Sequence, residues 1–271
     1  MATKFLAFVN GKGGVGKTTS VFHVAGVLSK RGERVLVIDM DKQRNSTQSF
    51  VLENKPSYTI YDLMIPYRMS NNVLNEMRKS GVSFEGAVTK TLFKHHGNAS
   101  PRYYGVDIIC GDIRMDDQRE LALVKSDEFA NCIRGGSCDY DWVIVDMPPS
   151  NKEVNRITFA FVDHAVIPLT TDDTDSISGY GDIVKEVDAA RSANPTLSVL
   201  GVYCSRYSPS SLSDYVRGEV EKFSTFIPVV IPRLAVIPEA RALNRPLSYY
   251  HKGEALEAFE GLVDEITRRI S

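Results

Sequence analysis

The sequence has few cysteines, no long apolar run and almost no excess of charge. Its four cysteines include no Cys-x-x-Cys pair, which argues against a disulfide framework and favours a reducing compartment. No segment approaches the roughly 18 apolar residues that a membrane span needs, and the N-terminal apolar run is too short for a secretion signal. A net charge of −2 argues against a protein whose whole surface binds nucleic acid. We therefore expect a globular cytoplasmic protein.

Short β-branched runs that end in Asp, Gly or Pro recur along the chain and predict buried strands. They lie at residues 4–9, 34–39, 106–110, 142–147, 164–169, 197–204 and 226–232. Helical patterns separate most of them; in the first, Val21, Val24, Ala25 and Leu28 share one helical face. This alternation predicts one doubly wound α/β domain over residues 1–271, with a mostly parallel sheet of about seven strands and helices on both faces.

Residues 54–105 interrupt this rhythm. They contain Pro56, Pro66 and Pro101, together with weak helical periodicity at residues 71–81. We interpret the segment as a helical insertion at one edge of the sheet, with a mobile loop at 95–101. The doublet His95-His96 in that loop has no further ligand at a metal-binding spacing, which favours a solvated loop over a metal site.

A glycine-rich stretch between the first strand and the first helix matches the pattern GxxxxGK[ST] over residues 11–18. In such a loop the backbone N–H groups surround phosphate oxygens, Lys17 reaches the β- and γ-phosphates, and the Thr18 hydroxyl can join a Mg²⁺ shell. The helix predicted from Lys17 to about Arg31 directs its positive end at the same anion. The predicted nucleotide contacts are Gly11, Gly13, Gly14, Val15, Gly16, Lys17, Thr18 and Thr19.

Three motifs in order resemble those of the ParA/MinD family of deviant Walker A ATPases. The stretch KGGVGKTT (12–19) resembles the family's phosphate loop, whose mark is the extra lysine, here Lys12. Residues 35–47 resemble the second motif, which usually reads DxDPQGN, and residues 141–150 resemble the Walker B strand and its switch. Lys42 and Arg44 depart from that pattern, since they stand where Pro and Gly are common. The resemblance covers nearly the whole chain and is weakest at the insertion.

The resemblance implies a P-loop ATPase that uses ATP and Mg²⁺. Asp41 would orient the attacking water, while Asp39 and Asp146 would support the Mg²⁺ shell with Thr18, mostly through waters. Each aspartate follows a predicted strand, at the edge where open α/β sheets bind ligands. An ordinary strand-end aspartate that caps a turn is the alternative for each of them taken singly.

The two lysines of the loop would then have separate roles. Lys17 would bind the phosphates of its own nucleotide, whereas Lys12 would reach across a two-fold interface to the nucleotide of a second subunit. Lys12, Lys17 and Asp41 are therefore the expected catalytic residues. The resemblance also places the adenine base near Arg206, Pro232 and Arg233, and a surface position is the alternative for the two arginines.

After Asp146, Pro148 and Pro149 stiffen a segment that suits a switch sensitive to the γ-phosphate; an ordinary structural turn is the alternative. The leading functional hypothesis is a DNA partition ATPase of the small, Soj-like type that lacks an N-terminal helix-turn-helix. Its ATP-bound homodimer would bind DNA without sequence preference and associate with the nucleoid, and a ParB-like partner would stimulate an otherwise slow hydrolysis.

Two alternatives remain: a membrane-associated positioning ATPase of the MinD kind and a metabolic ATP-dependent ligase on the same fold. The predicted last helix, Glu254–Ile270, bears on the first of these. Its polar face is more acidic than basic, which favours packing on the sheet over membrane contact, so no membrane partner is expected.

Overall fold

Nine strands form a single sheet in the computed structural model, which describes residues 2–68, 80–93 and 102–271. Along the chain they are β1 (Lys4–Phe8), β2 (Val35–Asp39), β3 (Val51–Leu52), β4 (Val88–Phe93), β5 (Arg102–Ile109), β6 (Trp142–Asp146), β7 (His164–Thr170), β8 (Ser198–Tyr207) and β9 (Phe226–Pro232). Their spatial order is β3-β4-β5-β2-β6-β1-β7-β8-β9. The chain reverses its direction of winding at β1, and in open α/β sheets such a point creates a crevice at the carboxyl ends of the strands.

Seven of these strands are parallel, and they are the seven that the sequence predicts. The doubly wound α/β class is therefore confirmed, but the predicted number of strands is too low. β4 pairs antiparallel with β5, and β3 pairs antiparallel with β4. β3 has only two residues, and β4 alternates buried threonines with less buried side chains. Neither has the continuous apolar run of a buried parallel strand.

Helices connect the strands and cover both faces of the sheet. In the described residues they are α1 (Lys17–Lys30), α2 (Asn45–Ser49), α3 (Ile60–Met64), α4 (Phe84–Ala87), α5 (Gln118–Ala122), α6 (Ser126–Gly136), α7 (Lys152–Phe159), α8 (Asp175–Ala190), α9 (Ser211–Val220), α10 (Val236–Ala242) and α11 (Glu254–Ile270). Short 3-10 turns occur at Ile65–Tyr67, Ile113–Asp116 and Leu247–Tyr249. None of these described helices has the length and apolar character needed to cross a membrane.

Two apolar cores hold the sheet between its helices. In one of them Val24 of α1 packs with Phe8 of β1 and with Phe259 of α11. In the other Phe129 of α6 and Val187 of α8 pack with strand residues of the sheet. The final helix has the bounds predicted from the sequence, and its apolar side is buried in the first core. Helices on both faces are what a parallel sheet requires, because neither face is left in contact with water.

The prediction of a helical insertion at 54–105 needs correction. Its described residues include α3 and α4, but residues 88–93 form β4 and residue 102 begins β5, so the segment extends the sheet as well. Residues 69–79 and 94–101 lie outside the described residues. They contain most of the predicted helical pattern, the His95-His96 doublet and the predicted mobile loop.

Candidate nucleotide-binding site

The loop between β1 and α1 has the backbone conformation expected of a phosphate-binding loop. Gly14 and Gly16 have φ angles of 76° and 96°, a left-handed conformation that residues with a Cβ atom rarely adopt. Lys17 begins α1 directly after Gly16, which has no side chain with which to cap the helix. The first N–H groups of α1 are therefore free to donate to an anion.

Two side chains fix this loop to the strands beside it. Asn10 is buried, donates from Nδ2 to the carbonyl oxygen of Pro168 (2.7 Å) and accepts the N–H of Lys12 at its Oδ1 (2.8 Å). Ser205 of β8 donates its hydroxyl to the carbonyl oxygen of Val15 (2.7 Å). Because Pro168 lies in β7 and Ser205 in β8, these hydrogen bonds attach the loop to two strands of the sheet.

Lys17 lies inside the loop. Its side chain is buried, and its ammonium donates to the carbonyl oxygens of Asn10 (2.9 Å) and Lys12 (3.0 Å). Burial lowers the pKa of Lys17, while the negative charges of Asp146 and Asp41 act in the opposite direction. The ammonium thus stands at the centre of the loop, where phosphate oxygens can replace the two carbonyl oxygens as its partners.

The register of the sheet brings the predicted carboxylates together. Asp39 ends β2 and Asp146 ends β6, and the two residues are direct neighbours across the parallel pair. Both are completely buried. Asp41 follows two residues after Asp39 and is 6% exposed. The structure thus places these three side chains beside one another near the phosphate loop, and their chemical roles stay predictions.

Hydroxyl groups from α2 orient the two buried carboxylates. Thr47 donates to one oxygen of Asp39 from both its N–H and its hydroxyl (2.8 Å each). Ser46 donates to Oδ2 of Asp146 (2.8 Å). The other oxygen of Asp146 is buried and accepts no hydrogen bond of good geometry from the described residues. The hydroxyl of Thr18, the predicted metal ligand, also acts on this carboxylate, so Asp146 lies where it could orient a water molecule of a metal shell.

The pKa shifts of Asp39 and Asp146 also favour a metal ion beside them. Burial, and then repulsion from Asp146, raises the pKa of Asp39. Burial also raises the pKa of Asp146, against the lowering effect of nearby hydroxyl groups and of Lys17. Two adjacent carboxylates in a dry site favour a cation beside them. In the described parts of the chain no three His, Cys, Asp or Glu side chains form a metal cage. A Mg²⁺ ion here would thus be held through the Thr18 hydroxyl, phosphate oxygens and waters.

A cavity of about 1470 Å³ opens above these carboxylates, large enough for a nucleotide together with its metal ion. Its wall contains most of the predicted loop contacts, namely Gly13, Gly14, Gly16, Lys17, Thr18 and Thr19. Asp41 also lines it, whereas Asp39 and Asp146 do not and therefore lie beneath the wall. Gly11 and Val15 are not part of the wall either, and Val15 is fully buried.

The residues predicted to lie near the base also line the cavity. Pro232 ends β9 beside β8, and the N–H of Arg233 donates to the carbonyl oxygen of Tyr207 (2.7 Å). Arg206 donates from Nη1 to the carbonyl oxygen of Gly14 (3.1 Å), with a left-handed φ of 58°. The structure thus places all three predicted residues in the wall of the cavity, with Arg206 in contact with the phosphate loop, and a contact with the base stays a prediction.

A family model described as an AAA domain matches residues 3–199. The chain belongs to this family of ParA/MinD-type AAA domains. Among curated relatives, the chromosome-partitioning ATPase Soj of Treponema pallidum is 26% identical over 98% of each chain. The chromosome partitioning protein ParA of Caulobacter vibrioides is 27% identical over 98% of this chain and 94% of its own length.

Solved structures show the same fold. Apo McdA of Cyanothece superposes with a TM-score of 0.77 at 23% identity, over 99% of this chain and 100% of that one. Cobyrinic acid a,c-diamide synthase of Mycobacterium smegmatis, with a bound ATP analogue and magnesium, gives 0.75 at 22% identity over 100% and 96%. The septum site-determining protein MinD of Pyrococcus horikoshii, complexed with Mg-ADP, gives 0.71 at 21% over 99% and 98%.

Lys12, the extra lysine of the ParA/MinD motif, lies outside the phosphate cradle. Its ammonium forms an ion pair with Oδ2 of Asp173, in the loop between β7 and α8. The side chains are 40% and 35% exposed, and neither residue lines the cavity. The two lysines of the motif thus occupy distinct environments within one chain. The contact of Lys12 with a second subunit stays a prediction.

The two departures from the family's second motif have structural consequences. Arg44, where Gly is common, adopts a left-handed φ of 56° just before α2. Lys42, where Pro is common, forms an ion pair with Asp116 (2.6 Å). Arg44 therefore keeps the glycine-type backbone at a cost in strain, and Lys42 ties this loop to the 3-10 turn that contains Asp116.

The segment after Asp146 contacts the phosphate loop directly. Ser150 donates its hydroxyl to the carbonyl oxygen of Gly11 (2.7 Å) and has a positive φ of 39°. Pro148, Pro149 and Ser150 all line the cavity. The predicted switch segment therefore lies against the phosphate loop and the cavity, and its movement stays a prediction.

Sequence reasoning missed several residues that shape the site. Ser46, Thr47 and Ser150 are ordinary hydroxyl residues whose roles depend on a sheet neighbour or on a turn. Asp172 and Asp173 had a usable signal, since two adjacent acids follow a predicted strand at the ligand-binding edge.

Proposed function

We propose that this protein is an ATP-dependent DNA partition ATPase of the ParA/Soj type. Its ATP-bound dimer binds DNA without sequence preference, associates with the nucleoid and is released when a ParB-like partner stimulates a slow hydrolysis. The observation that carries the proposal is the division between the two loop lysines. Lys17 is buried in the phosphate cradle, whereas the side chain of Lys12 is 40% exposed and pairs with Asp173 outside the cradle. The curated names of the Soj and ParA relatives support the same function.

ATP and Mg²⁺ are the ligands of the site under this proposal. Lys17 and the N–H groups of the loop hold the phosphates, and the Thr18 hydroxyl contributes to the metal shell. Asp39 and Asp146 orient the waters of that shell from beneath the cavity wall. When bound, Mg²⁺ would supply positive charge that offsets the negative charge of the nucleotide phosphates. Asp41, in the wall, accepts a hydrogen bond from the attacking water and holds it in line with the γ-phosphate.

Lys12 completes the site of a second subunit. A partly exposed lysine beside the phosphate loop can approach a nucleotide held by another copy, where it adds positive charge as negative charge gathers on the transferring phosphoryl group. ATP thus stabilises the dimer, and hydrolysis weakens it because the γ-phosphate that Lys12 contacts is lost.

The test measures DNA retention and oligomeric state together. The protein is incubated with ATPγS or ADP in the presence of Mg²⁺ and a random-sequence duplex at about 100 mM salt, and is then examined by sedimentation and filter retention. We expect a dimer that retains DNA with ATPγS and a monomer that does not with ADP. A Lys12→Gln variant that still dimerises, retains DNA and turns over ATP normally would contradict the proposal.

A ligase function is the second candidate, because the cavity extends beyond the phosphate loop to Gln48, Arg241 and Asn244. That space would admit a second substrate, and one solved neighbour is named as an amide synthase. ATP-dependent amide formation by a monomer without DNA retention would favour it. Co-sedimentation with anionic liposomes, in place of DNA, would favour a MinD-like function; the acidic polar face of α11 argues against that outcome.

A further inference from the structure

The loop between β2 and α2 forms a tight turn that begins at Asp41. The N–H of Arg44 donates to the carbonyl oxygen of Asp41 (2.9 Å), so residues 41–44 form a β-turn with Lys42 at its first central position. Oδ1 of Asp41 accepts the N–H of Gln43, the second central residue (2.9 Å). The direction of the Asp41 carboxylate therefore depends on the conformation of this turn.

The first central position of such a turn suits proline, because the proline ring fixes φ near the value that the turn requires. This chain has Lys42 there instead. The N–H of Lys42, which a proline would lack, has no acceptor among the described residues, and its φ is not positive. Lysine thus leaves free to rotate a backbone that would accept proline, and the turn needs another restraint.

An ion pair supplies a restraint from outside the turn. Nζ of Lys42 donates to Oδ1 of Asp116 (2.6 Å), in the 3-10 turn that follows β5. That 3-10 turn is itself anchored. Met115 is 1% exposed, and Oδ1 of Asp112 caps the turn by accepting the N–H of Arg114 (2.9 Å). Asp116 is therefore a fixed point to which Lys42 is attached.

The segment after β5 meets the Asp41 turn at a second point. At Gly111 a Cβ atom would lie 2.9 Å from the carbonyl oxygen of Asp41, so the two backbones are in close contact. Asp41, Lys42 and Asp116 all line the nucleotide cavity. The ion pair thus holds the turn against a neighbouring segment beside the place where the nucleotide would bind.

We propose that Lys42 and Asp116 are a positioning pair that keeps the carboxylate of Asp41 directed at the attacking water. The inference rests on the proposed function, because it requires that Asp41 orients this water. The side chains of the pair are 39% and 64% exposed, so water and salt weaken it. ATP turnover is therefore more sensitive to ionic strength than it would be with a proline in the turn.

The experiment measures kcat and KM for ATP with Mg²⁺ at about 50 mM and about 500 mM salt. It compares the wild type with K42M, D116N and the double variant; methionine keeps an unbranched side chain without the charge. D264N is the matched control. Asp264 pairs with Arg31 (2.7 Å), its side chain is 65% exposed, and neither of these two residues lines the cavity.

We expect K42M and D116N each to lower kcat about two- to fivefold at low salt, the range expected for loss of one exposed ion pair. KM should stay within about twofold, because the phosphate cradle is unchanged. The double variant should lose no more than either single variant, since the two side chains act as one unit. The fall in kcat at high salt should be larger in the wild type and D264N than in K42M and D116N.

A further substitution tests whether the pair acts through the turn. The K42P/D116N protein should recover a kcat within about twofold of the wild type, with little dependence on salt, because the proline ring restricts the turn without Asp116. A K42P/D116N protein as slow as D116N would show that the pair does not act by restricting the turn, and would overturn the inference.

The remaining outcomes separate this inference from the proposed function. Normal turnover in K42M and D116N, or losses that add in the double variant, would show that the two side chains do not position Asp41 as a pair. Either result would overturn only this inference if Asp41→Asn still abolishes turnover. A wild-type protein that hydrolyses no ATP would overturn the proposed function, and this inference with it.

Discussion

The aspartates on the two sides of β1 differ in their surroundings, although all follow parallel strands at one edge of the sheet. On one side, Asp39, Asp41 and Asp146 follow β2 and β6 and are almost completely buried. On the other side, Asp172 and Asp173 follow β7, and their side chains are about a third exposed at 33% and 35%.

Because their burial differs, the aspartates of the two groups suit different chemistry. The buried side has Lys17 as its cation and carries carboxylates whose pKa values burial raises, so it favours a metal ion. The exposed side balances its charges with Lys12, Arg206 and Arg233 in ion pairs that water weakens. The first arrangement suits a catalytic centre, and the second suits contacts that must exchange.

The largest expected effect separates the two lysines. Lys17→Ala should weaken nucleotide binding more than about 100-fold, because it removes the buried ammonium that phosphate oxygens would contact. Lys12→Ala should leave the nucleotide Kd of the monomer within about threefold, since Lys12 lies outside the cradle. Titration of a fluorescent ATP analogue, at a protein concentration below the dimer Kd, measures the nucleotide Kd of both variants. An equal loss of nucleotide affinity in the two variants would show that Lys12 and Lys17 do not have separate roles.

Asp41→Asn should lower ATP turnover about 100-fold while ATP binding stays within threefold. The amide keeps the size of the carboxylate but loses the acceptor that would orient the attacking water. Steady-state phosphate release and nucleotide titration give the two values. Asp172→Asn is the matched comparison on the exposed side, and turnover within threefold of wild type is expected there. A small effect of Asp41→Asn on ATP turnover would show that Asp41 does not orient the attacking water.

The buried carboxylates should make the Mg²⁺-free protein less stable as pH rises. Their folded-state pKa values are raised, so between about pH 4 and pH 7 the folded chain retains protons that the unfolded chain has released. The free energy of unfolding therefore falls as pH increases through this window. Asp146→Asn removes one of the two repelling charges and should reduce that fall by roughly 1–2 kcal/mol between pH 5 and pH 8.

Urea unfolding in EDTA at several pH values measures this effect. The exposed Asp182→Asn, which loses a surface carboxylate paired with Lys185, is the control and should keep the wild-type slope. Identical slopes for Asp146→Asn and the wild type would mean that the buried pair is not the source of the pH dependence.

The smallest expected effect concerns Arg44, in the loop between β2 and α2. Arg44→Gly should raise the free energy of unfolding by roughly 0.5–1 kcal/mol, because glycine adopts the left-handed φ of 56° without strain. Thermal and urea unfolding measure the change. Ala160→Gly, at a helix end with a φ of −70°, should lower stability and so exclude a general effect of glycine. A loss of stability in Arg44→Gly would show that the arginine side chain makes up for its strained backbone.

The seven parallel strands were predictable because each is a continuous apolar run. The apolar composition of residues 34–39 and 142–147 predicts two of these buried strands. The fixed spacing of the glycines and Lys17 predicts the phosphate loop. β3 and β4 were not predictable in this way. They lie at a sheet edge where polar side chains are tolerated and where pairing with β5 decides the structure.

The sequence by itself determined the phosphate loop and the edge of the sheet where Asp39, Asp41 and Asp146 lie. Those features follow from local spacing and from the rule that parallel strands end together. Only the tertiary structure decided that Lys12 pairs with Asp173, because that contact joins residues 161 positions apart. Long-range pairing depends on strand order and loop direction, which no local pattern encodes.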